Sequence, residues 1–210
     1  MNIELRNTTM RAIILPDAES ALTLGNLPIP EIGANEALVR VHAASLNGFD
    51  LFVAAGYLKG MMEHRYPAVV GKDFAGTVTA VGPNVSRFSV GDQVFGVVSK
   101  PFVGDGSYGE YIAIPEDSTI THVPAGLDLL TAGVLGLAGT AALMTVEAVA
   151  PTTGESLLVS GATGGVGAFA VQLAAARGAE VIATAQPGAE ADFVRSLGAT
   201  RVVDYTGDLV

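Results

Sequence analysis

The 210-residue chain contains neither cysteine nor tryptophan. Without cysteine there is no disulfide framework, no thiolate nucleophile and no thiolate zinc site. Histidine is scarce. His42, His64 and His122 stand far apart and form no HxxxH-type pair, so no metal is assigned. Charge is thin, at 15% of residues, and lopsided, giving a net charge of −10. An acidic surface repels phosphate backbones and argues against nucleic acid as a partner, although a local site can still hold one small anion. No run of about 18 apolar residues escapes charges or turn signals, as a membrane span requires. The nearest approach, Leu127 to Ala150, holds Asp128, Glu147 and three glycines. The first ten residues lack the apolar core of a signal peptide. These absences lead to the expectation of a soluble, cytoplasmic protein with no membrane partner.

Half of the residues are hydrophobic, enough for a substantial packed core. Two regimes share them. From Met10 to about Pro124, short apolar runs are broken by Gly, Pro and Asn. Arg11–Leu15, Ala37–Ala43, Thr77–Val81, Gln93–Val98 and Tyr108–Ile114 are the clearest. Their length and β-branched content predict strands of a barrel-like or sandwich-like domain, interrupted by one helix near Leu46–Ala55. From Thr131 the pattern changes. Thr131–Val149 reads as one long helix closed by Pro151. Strand Ser156–Ser160, helix Gly165–Arg177, strand Glu180–Ala185, helix Glu190–Leu197 and strand Arg201–Tyr205 follow. That alternation, with strands apolar throughout, predicts a parallel sheet with crossover helices. The fold class is therefore α/β, with a β-rich domain over residues 1–125 and a partial dinucleotide-binding domain over 126–210.

The segment that carries most chemistry is Leu157-Leu158-Val159-Ser160-Gly161-Ala162-Thr163-Gly164-Gly165-Val166-Gly167. An apolar strand runs into a tight turn that opens a helix. The first amides of a helix have no internal partner, and the helix dipole adds positive potential there. With little side chain in the way, a pyrophosphate can approach the backbone from Gly161 through Ala162, Thr163, Gly164, Gly165 and Val166 to Gly167. A Gly-rich string alone is also what a flexible turn looks like. Its place between strand and helix, with a second strand beyond, makes dinucleotide binding the stronger reading. The string also matches the GxxxGxG form of short-chain dehydrogenases, but those carry it near the N-terminus.

An NAD site usually has an acid at the end of the second strand for the ribose hydroxyls. Here that end reads Ala183-Thr184-Ala185-Gln186, with Thr184 counted among the cofactor-binding residues. The missing acid favours NADPH over NADH. Arg177 and Arg195 are the nearest cations for a 2′-phosphate, and each reads more readily as a solvated helix charge than as a phosphate ligand.

These motifs, with Asn47-Gly48-Phe49-Asp50, Val70-Gly71-Lys72-Asp73-Phe74-Ala75-Gly76, Val90-Gly91-Asp92-Gln93-Val94 and Gly106-Ser107-Tyr108-Gly109-Glu110-Tyr111, occur in one order and spacing. In these the chain resembles the quinone oxidoreductase branch of the medium-chain dehydrogenase/reductase superfamily, the group that includes zeta-crystallin. The resemblance implies a GroES-like catalytic domain followed by a Rossmann domain. It places Asn47 and Lys72 where zinc-dependent relatives carry Cys and His, which implies zinc-independent chemistry. The implied reaction is hydride transfer from NADPH to a small-molecule quinone or activated enone, with hydrogen-bond donors stabilising the developing oxyanion.

Asn47 is expected at both the catalytic and the cofactor site, or as a helix cap, and the capping role is the stronger one for Asp50. Lys72 is expected to donate to an oxyanion or to pair with Asp73. Phe52 stands where relatives have Tyr, so Tyr57 is a candidate replacement hydroxyl or a loop-anchoring aromatic. Thr140 is expected to meet the nicotinamide end of the cofactor or to bond back to a helix carbonyl. The resemblance also allows a homodimer. It further implies that the chain stops partway through the Rossmann sheet, leaving strand Ser156–Ser160 with an uncovered edge. Two other readings stay open: a non-catalytic NADPH-binding protein, and an enoyl-reductase module excised from a larger synthase.

Overall fold

The computed structural model describes residues 8–207. The chain divides into two compact units, the first ending at Leu137 and the second beginning at Ala138.

The first unit carries β1 (Thr9–Leu15), β2 (Thr23–Pro28), β3 (Glu36–Ala43), α1 (Gly48–Ala54), β4 (Glu63–Val69), β5 (Asp73–Val81), β6 (Gln93–Val97), β7 (Phe102–Asp105), β8 (Tyr111–Pro115), β9 (Ile120–His122) and α2 (Leu129–Ala132). Its strands form a five-stranded sheet, β8-β3-β5-β6-β9, and a four-stranded one, β2-β1-β4-β7. Val39, Phe74, Val94, Ile112 and Ile114 pack the core of the larger sheet. Burying such side chains is worth about 1.5–3 kcal/mol each, which favours this register over its neighbours.

Four strands escape the sequence pattern. β2 lies at a sheet edge, holds Gly25, Asn26 and Pro28, and buries none of its residues fully. β4 contains Pro67, and its pairing with β7 jumps register between His64 and Val69, so the proline sits where the ladder is already broken. β7 and β9 are only four and three residues long.

The expected single helix over Thr131–Val149 is two helices. α2 ends at Ala132, and α3 (Leu137–Val149) starts after a break at residues 133–136. The cause is close backbone approach. A Cβ on Gly133 would lie 2.7 Å from the Ala43 Cβ, and one on Gly136 would lie 2.5 Å from Asp73 Oδ1 and 2.7 Å from the Gly96 carbonyl. The glycines let the chain press against β3, β5 and β6 there, at the expense of helix continuity.

The second unit holds most of α3, then β10 (Ser156–Val159), α4 (Gly165–Ala176), β11 (Glu180–Thr184), α5 (Ala189–Ser196) and β12 (Arg201–Val203). The three strands are parallel in the order β10-β11-β12, with Leu157 opposite Val181 and Ala183 opposite Val202. Val171, Ala174, Val181, Ala183 and Val194 fill the space between helices and sheet. The small side chains let the helices sit close to the strands. β10 forms one edge of the sheet, and Leu158 is 60% exposed there, as expected for a strand without an outer neighbour.

Candidate active site and cofactor cradle

Gly161 follows β10 with a φ of 69°, a conformation that favours glycine and turns the chain back toward the helix. Its N–H donates to Thr184 Oγ1 at 2.9 Å, which ties the turn to the end of β11. The Gly164 N–H closes the turn on the Gly161 carbonyl at 3.0 Å, and Gly164 caps α4. A Cβ on Gly167 would collide with the Gly161 carbonyl and lie 2.7 Å from Ala162 Cα, so the first turn of α4 packs on the loop only as glycine. Among the described residues the N–H groups of Gly165, Val166 and Gly167 have no acceptor. A cavity of about 490 Å³ is lined by this turn and by Val146, Val149, Leu157 and Leu158. Ala162 is buried, so it supports the turn from within, and Thr163 is half-buried. Unpaired amides at a helix start, with a cavity along the turn, are what an anionic pyrophosphate requires.

At the end of β11 the structure adds a residue to the sequence reading. No acid follows Thr184 directly, but α5 brings one back. Glu190 Oε2 accepts the Gln186 N–H at 2.9 Å and the Tyr205 hydroxyl at 3.3 Å, while Gln186 Nε2 donates to that hydroxyl at 3.1 Å. The two cations considered for a 2′-phosphate are engaged elsewhere. Arg177 caps α4 and donates to the Val146 carbonyl at 3.3 Å, and Arg195, in the last turn of α5, meets Asp192 at 3.3 Å.

In the first unit a polar cluster forms around Asp73, the first residue of β5, which is fully buried. Its Oδ2 accepts the Ser45 hydroxyl and the Asn47 amide, the latter at 2.9 Å, and its Oδ1 accepts the Leu137 N–H at 2.5 Å. Asn47 Nδ2 also lies 3.1 Å from Ser45 Oγ. Asn47 is at the same time the N-cap of α1, and Asp50 reaches back to accept its N–H at 2.8 Å. The capping reading of both residues is thus realised, and Asn47 belongs to the buried network as well.

The Tyr108 hydroxyl lies 2.8 Å from the Ser45 carbonyl and 3.0 Å from Asp50 Oδ2. One hydroxyl proton cannot serve two acceptors fully, so the Ser45 carbonyl and Asp50 Oδ2 share the Tyr108 donor. Burial pushes the Asp50 carboxyl above the ordinary aspartate range, opposed by the Asn47 N–H and the Tyr108 hydroxyl. The Tyr108 hydroxyl is pushed upward too, first by burial and then by the nearby Asp50 charge.

Lys72 makes no ion pair with Asp73, whose oxygens are taken by three other donors. Its Nζ donates to the Val98 carbonyl at 2.8 Å and lies 4.5 Å from the centre of the Phe49 ring. Burial lowers its pKa, with the charge of Asp50 pulling the other way. Tyr57 is 69% exposed and packs edge-on against Phe52 at 5.8 Å, and its hydroxyl bonds to no described residue. Thr140 is exposed on α3 and makes no bond back to a helix carbonyl, unlike Thr145, whose hydroxyl donates to the Ala141 carbonyl. The structure therefore gathers Asn47 with Asp73, Asp50 and Tyr108, and leaves the hydroxyls of Tyr57 and Thr140 outside that network.

Comparison with known proteins agrees with this geometry. Residues 33–125 match the model of the alcohol dehydrogenase GroES-like domain, and residues 165–210 that of a zinc-binding dehydrogenase. Dehydrogenase azaJ of Aspergillus niger is 36% identical, over 92% of this chain and 60% of its own length. The quinone oxidoreductase of Sus scrofa is 36% identical, over 85% of this chain and 52% of its own. The quinone oxidoreductase structure from Coxiella burnetii superposes with a TM-score of 0.84 at 32% identity, covering 96% of this chain and 64% of that one. This chain belongs to the quinone oxidoreductase branch of the medium-chain dehydrogenase/reductase superfamily.

Membership in a superfamily with zinc-binding members calls for a test of the metal against the donors present. Lys72 offers an ammonium already donating to a carbonyl, which has no lone pair for a cation. Asn47 points its amide nitrogen at Asp73 and Ser45. Among the described residues no group of three or more His, Cys, Asp or Glu could hold a metal ion. The donor set does not fit zinc. A nicotinamide cofactor, by contrast, fits the unpaired amides of the Gly-rich turn. Among the described residues no helix is long and apolar enough to cross a membrane.

Asp73, Ser45, Tyr108 and Glu190 were not singled out from the sequence as members of these sites. Asp73 and Tyr108 lie inside the quoted motifs, which was the available signal. Ser45 and Glu190 had none, because only folding brings Ser45 to Asp73 and Glu190 to the end of β11.

Proposed function

We propose that the protein is a zinc-independent oxidoreductase that reduces a quinone or activated enone with hydride from a nicotinamide dinucleotide. The observation that carries this reading is the set of unpaired amides at Gly165, Val166 and Gly167, opening a helix directly after a parallel strand. The bound dinucleotide would supply the hydride. The second unit holds its linked phosphates on those amides, and Thr184 fixes the turn through Gly161. An electron-poor acceptor gains the hydride and then a proton at oxygen. Within the first unit, Lys72 retains N–H groups beyond the one given to Val98, so it is the candidate donor to that oxygen. Asn47 has its amide hydrogens committed to Asp73 and Ser45 and serves to hold the shape of the loop before α1. The sequence expectation of NADPH rested on an acid-free end of β11. With Glu190 placed there, the choice between the phosphorylated and unphosphorylated dinucleotide turns on charge at that end.

The test is acceptor-dependent oxidation of reduced dinucleotide by the purified chain across a panel of quinones and enones. Turnover unaffected by a chelator is expected, and chelator-sensitive alcohol oxidation would sink the reading. The chain spans 60% of the Aspergillus relative and 52% of the pig one, so a second reading has footing. Dinucleotide binding without turnover would assign the chain a binding role alone.

A further inference from the structure

Asparagine is sparse, and one copy stands apart. The chain has six, Asn2, Asn7, Asn26, Asn35, Asn47 and Asn84, and only Asn47 is followed by glycine. The amide carbon of an asparagine side chain can reach the next backbone nitrogen and close a five-membered ring with it. A side chain on that next residue obstructs the closure, and glycine brings none. At Gly48 the attacking nitrogen is free. The residue is exposed, its N–H has no acceptor among the described residues, and a Cβ built on it would meet nothing within 4 Å. No internal hydrogen bond is given up when a base takes its proton.

The electrophilic carbon, by contrast, is held back. Asn47 Nδ2 donates to Asp73 Oδ2 at 2.9 Å and lies 3.1 Å from Ser45 Oγ. The backbone of Asn47 is extended, with φ −119° and ψ 160°. Ring closure requires the side-chain amide to leave both partners and the backbone to turn about ψ until Cγ meets the Gly48 nitrogen. A hydrogen bond to a carboxylate is about twice as strong as one between neutral groups, and this carboxylate is fully buried. The Asp73 network therefore stands between the reacting atoms.

We propose that Asn47–Gly48 is a site of spontaneous modification, deamidation through a cyclic imide, gated by the hold of Asp73 and Ser45 on the Asn47 amide. The Gly48 nitrogen, its proton lost to base, bonds to Asn47 Cγ as the Cγ–Nδ2 bond breaks and ammonia leaves. Water then opens the imide at either carbonyl and gives aspartate or isoaspartate, with no change of oxidation state. The product sets a carboxylate beside the buried one of Asp73, which loses a donor and gains a like charge. The chain thus ages at the loop before α1 whenever that hold opens. None of these steps depends on the oxidoreductase reading.

The experiment incubates the full 210-residue chain in mildly alkaline heavy-oxygen water, natively and in denaturing urea, and maps every asparagine peptide by mass spectrometry. In urea, label is expected at residue 47 ahead of the other five asparagines. Native buffer should slow that labelling by about tenfold or more, equivalent to about 1.4 kcal/mol of barrier. Ser45→Ala removes one partner of the Asn47 amide and leaves Asp73 in place, so it should speed the native reaction. Gly48→Ala, whose methyl enters open space, should slow the reaction in urea by about tenfold. Asn47→Asp, which installs the product, should lower the urea midpoint. Labelling in urea that begins at another asparagine would overturn the site. Equal rates in native buffer and urea would overturn the gate, as would a native rate unmoved in folded Ser45→Ala.

Discussion

Asp73 accepts three hydrogen bonds while fully buried, and those bonds fasten three stretches of chain: the loop at Ser45 and Asn47, the start of β5, and the residue that opens α3. Hydrogen bonds to a charged group are worth about 1.5–3 kcal/mol, and a buried donor left unpaired costs about 1–3. These terms do not add in full, so Asp73→Ala is expected to cost about 3–5 kcal/mol, read as a lower urea midpoint. A loss under about 1 kcal/mol would mean that water replaces the carboxylate. Asp50 behaves differently. Its folded carboxyl titrates above the unfolded value, so the folded state binds more protons in that interval and stability falls as pH rises through it. Asp50→Asn should flatten this decline, starting from pH about 4. Urea unfolding across a pH series would check it, and an unaltered slope would show that burial does not control Asp50. At this scale the Gly-rich turn was legible, because glycine spacing records where backbone must stand bare. The Asp73 network was not, since Ser45 and Asp73 lie 28 residues apart and nothing local marks them as partners.

Elements with both faces covered announced themselves. β11 has an apolar centre, Val181-Ile182-Ala183, and lies between two parallel neighbours, and its pattern is legible together with its helices in order. β2 and β4 were invisible because an edge strand with little burial, or one with a proline in a broken ladder, has no alternation to show. The α2–α3 break was hidden for a different reason. Gly133 and Gly136 are tolerable inside a helix, and only their approach to β3, β5 and β6 ends it. The contrast between covered and open strands gives a paired prediction. Val181→Ala, fully buried in β11, should cost about 2–3 kcal/mol from lost transfer and cavity terms. Leu158→Ala on the edge of β10 should cost less than about 1 kcal/mol although a larger side chain is cut. Chemical denaturation of both variants decides this, and equal losses would mean that Leu158 is covered in solution.

For the molecule as a whole, the division into two compact units implies that ligand binding is felt unequally. A dinucleotide held by the Gly-rich turn stabilises the folded state by about 2.7 kcal/mol at a hundredfold excess over Kd. Hydrogen exchange measured with and without NADH should therefore slow at β10, α4 and β11 and remain nearly unaltered at β3 and β8. Uniform slowing would show that the two units open as one. Family and two-part architecture were readable at this scale because motif order survives where single contacts do not. The position of Glu190 near the end of β11 was not, because it comes after a loop, in the first turn of α5.

Gly161 and Gly167 bracket the cradle, yet they leave heredity very different freedom. A side chain at Gly161 would meet open space, and its φ of 69° can be borne by asparagine, so some coding changes there are survivable. Gly167 has no such outlet. Every missense codon adds at least one carbon, and that carbon lands on the carbonyl of Gly161. Populations carrying this protein should hold silent variation at the codon for Gly167 and purge nearly everything else.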